Sequence, residues 1–234
     1  MEKNMKAYLT VICTILFVFA AIVSVQAAPV NTLVLSEIFY DRSGTDDRYE
    51  WIELFNGTSG VIDLSGWSIG WGGDDYSNGT LQLAGTIGPA EYLVFGGPSS
   101  DLSNGNPIYS LAVNINNDLQ NSGPIADGVA LFHHPAASIT ATTIPFFSVV
   151  YGGSNSSGLI DYTGAVSAVD VGDAPEGQSI EYLAGVDGWI INPSPNPGTG
   201  SLSTVSTVPV PPAVCLLGSG LFGLVGFRRK LIKI

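Results

Sequence analysis

Between residues 29 and 207 the chain is divided into short apolar and aromatic runs by turn-forming pairs, and this division most constrains its fold. Asn or Asp followed by Gly occurs at 56–57, 78–79, 104–105 and 127–128, and such pairs tolerate the positive φ angles of tight hairpins. No window sustains an apolar period of 3.6 residues, so helices are not predicted here. The pattern is typical of an all-β sandwich or barrel.

Ten of these runs are predicted to be strands. They are Leu33 to Tyr40, Tyr49 to Phe55, Gly66 to Trp71, Gly79 to Leu83, Tyr92 to Phe95, Ile108 to Val113, Gly128 to Phe132, Phe146 to Tyr151, Ser179 to Tyr182 and Trp189 to Ile191. A region of roughly 180 residues is enough for one domain with a sizeable core.

The first 28 residues have the order of parts that a secretory signal peptide requires. Lys3 and Lys6 precede an apolar run over residues 7–25, and small residues follow at Ala27 and Ala28. An uncleaved transmembrane anchor is the alternative, because the apolar run is long for a signal peptide. Both versions predict an exported protein.

A second apolar segment lies near the C-terminus. Residues 213–227 carry no charge, and the basic residues Arg228, Arg229 and Lys230 follow them directly. About 20 residues of helix cross a hydrocarbon core, so a transmembrane helix with a basic end is predicted over residues 213–230. Positive residues stay on the cytoplasmic side, which places the rest of the chain outside the cytoplasm.

A Pro-, Ser- and Thr-rich stretch over residues 201–212 precedes this helix and is predicted to be a stalk. Its end, the apolar helix and the basic cluster together resemble the PEP-CTERM sorting signal, which exosortase-type transpeptidases recognise in Gram-negative bacteria that make exopolysaccharide. The sorting motif would comprise Val208, Pro209, Pro211 and Pro212, with Val-Pro-Val-Pro-Pro where the family has Pro-Glu-Pro.

This resemblance implies three partners: the membrane, an exosortase-type processing enzyme and exopolysaccharide. It also implies a location in the cell envelope of a Gram-negative bacterium, either anchored in the membrane or released to the cell surface or extracellular matrix. A plain single-pass anchor is the alternative reading of the same segment.

Charge and cysteine usage narrow the function classes. The terminal segments hold six of the eight basic residues and one of the twenty acidic ones, so the domain keeps only Arg42 and Arg48 against nineteen carboxylates. Phosphate backbones are bound through Lys and Arg, so nucleic acid is not an expected partner. Cys13 and Cys215 both lie in the terminal segments, and the domain therefore has no disulfide.

Three motifs carry a resemblance to a known domain family. They are Leu-Ser-Glu-Ile-Phe-Tyr at 35–40, Glu-Trp-Ile-Glu-Leu-Phe-Asn at 50–56 and Ile-Asp-Leu-Ser-Gly-Trp-Ser-Ile at 62–69. Together with later pieces at 91–95, 127–131 and 179–182 they resemble the lamin tail domain, which bacteria attach to many exported proteins. The resemblance implies an immunoglobulin-like β-sandwich over residues 29–200.

Alternation along the second predicted strand raises a question about Glu53. This residue falls on the same face as Trp51, so either a bulge interrupts the alternation or Glu53 is buried and needs a partner. Arg42 and Arg48 are the basic side chains of the domain that could pair with it.

The densest acidic cluster follows the first predicted strand. Asp41, Asp46, Asp47 and Glu50 offer the oxygen ligands that calcium prefers, although they lack the Asp-x-Asp-x-Asp-Gly spacing of a dedicated loop. A solvated turn is the alternative. Apart from calcium at this place no cofactor is expected, and a second, weaker oxygen pair is the Asp-Asp of residues 74–75.

Aromatic residues near the Gly-rich hairpin could form a platform for sugar rings. Trp71, which has glycines on both sides, is the better candidate for exposure, and Tyr76 lies close to it in sequence; Trp67 is expected to pack between sheets. The alternative is that these rings belong to the core. His133 and His134 are adjacent, so on a strand they would point to opposite faces and could not easily chelate one ion.

The sequence therefore predicts a non-enzymatic exported surface or extracellular-matrix protein whose β-sandwich is an adhesion or structural module. The alternative is a carbohydrate-binding or accessory module that serves an extracellular enzyme on another chain. A nuclease or hydrolase is suggested only because similar domains accompany such enzymes. No catalytic motif in the sequence supports this class.

Overall fold

The computed structural model describes residues 29–115, 119–121, 123–185 and 188–204. The predicted signal peptide, sorting motif, transmembrane helix and basic end lie outside these residues. No helix in the described part of the chain is both long and apolar enough to cross a membrane.

The described residues form fourteen strands and two short 3-10 turns. The strands are β1 (Pro29–Val30), β2 (Leu33–Phe39), β3 (Trp51–Asn56), β4 (Ile62–Asp63), β5 (Ser68–Gly72), β6 (Gly79–Gln82), β7 (Thr86–Ile87), β8 (Tyr92–Gly96), β9 (Leu111–Ala112), β10 (Ala126–Phe132), β11 (Phe147–Gly152), β12 (Ser179–Leu183), β13 (Gly188–Asn192) and β14 (Ser203–Thr204). The 3-10 turns are Leu102–Asn104 and Ala136–Ser138.

Two larger sheets face each other as a β-sandwich, which confirms the predicted all-β class. One sheet has the strand order β13-β12-β2-β3-β8-β9 and the other has the order β11-β10-β5-β6. Every one of the ten predicted strands is present, although the predicted strand at 108–113 is paired only at β9. The strands that were missed, β1, β4, β7 and β14, have two residues each, too few to show an alternating pattern.

The core between the sheets is built from alternate residues of the central strands. Ile52 and Leu54 of β3 face Ile69 of β5 and Leu131 of β10 within one buried cluster. Their neighbours on β3 point to the other face of the sheet, as the two-residue period of a strand requires. That outer face is also covered, because Phe55 packs there against Leu202 from the end of the domain.

A β-bulge in β2 changes which of its residues face the core. Leu35 pairs with Leu54 but Glu37 pairs with Glu53, so Ser36 is the extra residue. Before the bulge Leu35 lies in the core, and after it the core position passes to Ile38, which leaves Glu37 on the outer face. The sequence offered two explanations for Glu53 on the face of Trp51: a bulge in its strand, or a buried carboxylate. Glu53 is buried, and the bulge lies in the neighbouring strand β2.

The domain continues past the predicted boundary at residue 200. Leu202 is 9% exposed and packs with Val30, Val34 and Phe55, while β14 pairs in parallel with β1. Residues 201–204 therefore belong to the sandwich rather than to the stalk, because their burial against β1 is lost if they extend into solvent.

Candidate functional site

Three glutamates lie in register across the outer face of the six-stranded sheet. Glu37 of β2 stands opposite Glu53 of β3 on one side and opposite Glu181 of β12 on the other. Glu37 and Glu53 are each 1% exposed. Like charges placed directly opposite each other destabilise a sheet. The carboxyl groups of this glutamate row must therefore either accept hydrogen bonds or be protonated.

Donors come from Ser36 and from the C-terminal part of the domain. The Ser36 hydroxyl donates to Glu53 Oε1 at 2.6 Å, and the Gly198 backbone N–H donates to Glu53 Oε2 at 2.5 Å. Glu37 Oε1 accepts from the Ser179 hydroxyl at 2.5 Å and from Asn192 Nδ2 at 3.1 Å. Of the two basic side chains that could have paired with Glu53, Arg42 forms an ion pair with Asp101 instead, at 3.2 Å.

Burial then favours the protonated form of these carboxyls. Desolvation outweighs the hydrogen bonds and raises the pKa of Glu53 to about 8 and that of Glu37 to about 7. Glu37 and Glu53 are therefore largely uncharged in mildly acid solution and gain charge as the pH rises. Its donors tie residues 192–201 to the sheet, so its role is to hold the end of the domain in place.

Of the predicted calcium ligands Asp41, Asp46, Asp47 and Glu50, Asp41 lies near enough to Asp46 that burial and this neighbouring charge together raise the Asp41 pKa. Asp46 accepts from the Arg42 backbone N–H at 3.0 Å and from Asn121 Nδ2 at 2.7 Å, and Asp47 accepts from Asn114 Nδ2 at 2.9 Å. Glu50 is 1% exposed, inside the sandwich rather than on the loop. No three acidic or histidine side chains converge as a metal site within the described residues. Glu50 is buried just before β3, apart from the exposed part of the loop, and a calcium site at this loop stays a prediction.

The predicted exposure of Trp71 was wrong, and the alternative, that Trp71 and Tyr76 belong to the core, agrees with the structure. Trp71 is 6% exposed and Tyr76 is 3% exposed. Trp71 stands in register with Gly79, and the space that this glycine leaves is filled by the indole ring. The Tyr76 hydroxyl donates to the Ile160 carbonyl at 3.0 Å. Glycines beside these aromatics made room for their rings rather than exposing them.

The other aromatic predictions have mixed outcomes. Trp67 is buried at 8% exposure, as expected, and His133 stacks on its ring with centroids 4.5 Å apart. His133 and His134 are both exposed, and the His134 carbonyl accepts from the Ser68 hydroxyl at 2.7 Å.

An aromatic groove that the sequence did not predict lies where β11 approaches β12 and β13. It has a volume of about 200 Å³. Its lining residues are Phe147, Ser148, Asp161, Tyr162, Ser167, Asp170, Tyr182, Gly188 and Trp189. Its apolar wall consists of Phe147, Tyr182 and Trp189, with the Phe147 and Tyr182 rings 5.2 Å apart and nearly perpendicular.

The polar wall of the groove comes from the segment that follows β11. Asp161 Oδ1 accepts from the Thr163 backbone N–H at 2.7 Å, and hydrogen bonds from Thr163 hold the Asp161 pKa below its usual value. Asp170 Oδ2 accepts from the Val150 N–H at 2.8 Å. Tyr162 is 69% exposed at the rim. Two carboxylates, hydroxyls and aromatic rings in one concave site suit a ligand with both apolar faces and hydroxyl groups.

Sequence reasoning missed this groove because its parts are far apart in the chain. Phe147 and Trp189 lie in different sheets, and only the pairing of β12 with β13 sets Tyr182 beside Trp189. The one sequence signal was an aromatic residue in each of three predicted strands, which does not show that the three rings meet.

The protein is an all-β sandwich, an architecture consistent with a structural or interaction module. The sequence model of the Lamin Tail Domain family matches residues 26–169, more than half of the chain, and the protein belongs to that family. Comparisons with curated proteins and with solved structures found no significant match. The family match ends before β12 and β13, which the structure nevertheless joins to the same sheet through β2.

Proposed function

We propose that this protein is a non-enzymatic exported surface or extracellular-matrix protein whose sandwich is an adhesion or structural module. The observation that supports this most is the lamin tail sandwich itself, whose two larger sheets enclose a buried core and which is followed in sequence by a PEP-CTERM-like tail. An exosortase-type enzyme would process the tail, leaving the domain at the envelope or in the matrix.

Apolar side chains exposed around the groove support an interaction surface. Ile144 is 51% exposed, Tyr162 is 69% exposed and Val166 is 64% exposed. The segments that carry them meet, since a Cβ on Gly164 would lie 3.0 Å from Ile144 Cδ1. Apolar residues gathered on one surface are typical of contact sites, whereas scattered ones need no explanation.

The sorting proposal is tested by the mass of the native chain, purified from cells that carry an exosortase and from a matched strain without one. We expect a chain shortened near residues 208–212 and released from the membrane in the first strain only. An intact chain through Ile234 in both membranes would contradict processing and leave a plain anchor.

Adhesion is tested with the chain released by such processing. We expect it to bind isolated extracellular matrix and Tyr162→Ala to weaken that binding, while Leu102→Ala, at a side chain that is 93% exposed but does not line the groove, leaves it unchanged. Equal losses in both variants would contradict a surface centred on the groove.

Carbohydrate binding is the second candidate, and the groove favours it. Aromatic rings can pack against the apolar faces of a sugar while the carboxylates of Asp161 and Asp170 accept from its hydroxyls. The acidic domain repels anions, so neutral polysaccharides are the expected class.

Affinity electrophoresis in gels that contain a neutral glucan tests this candidate. We expect the glucan to retard the chain and Tyr162→Ala to abolish the retardation. Retardation that survives in the Tyr162→Ala variant, or none in the unsubstituted chain, would contradict a sugar site in the groove.

A further inference from the structure

Asp127 is a buried carboxylate that faces a second cavity, remote in sequence from the groove. It lies in β10, is 4% exposed, and accepts no hydrogen bond from any described residue. The cavity has a volume of about 260 Å³. Its oxygens border this cavity and pair with no described group, so whatever occupies the cavity must satisfy them.

Other oxygen atoms point toward the same space. A Cβ on Gly73 would lie 2.5 Å from Asp127 Oδ1 and 3.4 Å from Gln120 Oε1, so both oxygens occupy the room that the glycine leaves. Asp74 lines the cavity beside them, with its Oδ1 accepting from the Ser157 hydroxyl at 3.2 Å. Asn121 also lines it and uses its Nδ2 to donate to Asp46.

The charged side chains nearest to Asp127 are also acidic, so the cavity favours a cation. Desolvation, with Asp173 and Asp74 nearby, raises the Asp127 pKa to about 6, which still leaves the carboxylate mostly ionised at neutral pH. Arg42, one of two basic residues in the domain, is bound to Asp101 instead. A desolvated carboxylate without a counter-charge destabilises the fold, and a bound cation would remove that cost.

We propose that Asp127, Asp74 and the amide oxygen of Gln120 hold a calcium ion in this cavity. The ligands are all oxygens, which excludes a preference for zinc or copper. They come from two irregular loops and one strand, and calcium accepts such irregular shells whereas magnesium demands a near-ideal octahedron. The volume leaves room for waters that complete the coordination. This site differs from the acidic loop that the sequence suggested, and it does not depend on the proposed function.

The test measures calcium binding by calorimetry and by thermal unfolding, using the full chain freed of metal with a chelator. The ionic strength is held constant with NaCl, and MgCl2 is titrated in parallel. We expect a dissociation constant of about 0.1–1 mM, the range of extracellular modules. At 10 mM calcium the melting temperature should rise by about 3–6 °C.

Asp127→Asn is the decisive variant because it keeps the shape of the side chain and removes its charge. It should fold, with a calcium-free melting temperature at least equal to that of the unsubstituted chain, and should bind calcium at least 10-fold more weakly. Asp75→Asn is the matched control: the sequence suggested Asp75 together with Asp74 as an oxygen pair, but Asp75 does not line the cavity and its carboxylate accepts from the Ser77 N–H at 2.6 Å. It should keep its calcium affinity within twofold.

Three results would overturn the proposal. The first is no calcium response beyond that of NaCl in the unsubstituted chain, and the second is an equal response to magnesium. The third is equal weakening in the Asp127→Asn and Asp75→Asn variants, which would indicate a diffuse charge effect rather than a site.

Discussion

Replacing Glu53 with Gln should remove a large part of the pH dependence of folding stability. In the folded chain the Glu53 pKa is about 8 and the Glu37 pKa about 7, against an ordinary value of 4.5. Between pH 5 and 7 the folded state therefore binds more protons than the unfolded state. The stability that these two carboxyls contribute is fully present below about pH 4.5 and is lost as the pH rises through 7 and 8.

The magnitude follows from proton linkage. As the pH rises, each carboxyl that is protonated in the folded state but ionised in the unfolded state lowers the free energy of unfolding by at most about 1.4 kcal/mol per pH unit. Glu53 alone should therefore account for about 2 kcal/mol between pH 5 and pH 7. Gln suits the site because its oxygen can accept from the Gly198 N–H while its amide donates to the Ser36 hydroxyl, reversing that bond.

Urea unfolding followed by tryptophan fluorescence at pH 5, 6, 7 and 8 measures the effect. We expect the unsubstituted chain to lose stability steadily over this range and Glu53→Gln to lose about 2 kcal/mol less between pH 5 and 7. Glu176→Gln, at an exposed position, is the control and should keep the original slope. If Glu53→Gln also keeps that slope, then Glu53 is ionised in the folded state and the reasoning fails.

Further substitutions test packing at other points. Gly79→Ala would place a methyl group on the Trp71 indole, so we expect a loss of about 1–3 kcal/mol in urea unfolding. Gly60→Ala, where a Cβ meets nothing within 4 Å, should change stability by less than about 0.5 kcal/mol. Leu202→Ala should cost about 2–3 kcal/mol because Leu202 packs on Phe55; a loss under about 0.5 kcal/mol would mean that the domain ends before residue 201.

The sequence predicted strands well where the apolar period was long enough to be seen. In β3, Ile52 and Leu54 alternate with Trp51 and Phe55, and the structure separates them onto two faces of the sheet. The same alternation correctly placed Glu53 with Trp51. What alternation could not supply was the partner of Glu53, because Ser36 and Gly198 reach it only after a bulge and a return of the chain from the end of the domain.

Exposure was harder to predict than strand identity. Glycines beside Trp71 suggested an open hairpin, yet Gly79 lies across the sheet from Trp71 and provides the space that buries it. A glycine can expose a neighbour or make room for it, and the register decides which. Glu50 shows the same limit, since its position next to an acidic loop did not reveal that it is buried.

By itself, the sequence determined the all-β class, the nine longer strands and the place of β9, and the acidic character of the domain, since these depend on local alternation, turn residues and composition. Only the tertiary structure decided the glutamate row, the aromatic groove and the cavity at Asp127. Each of these unites residues separated by many positions in the chain, and the pairing of strands and the packing of two sheets fix their distances and their burial. Burial in turn sets the pKa of Glu53 and the cost of an unpaired Asp127, neither of which has a counterpart in the unfolded chain.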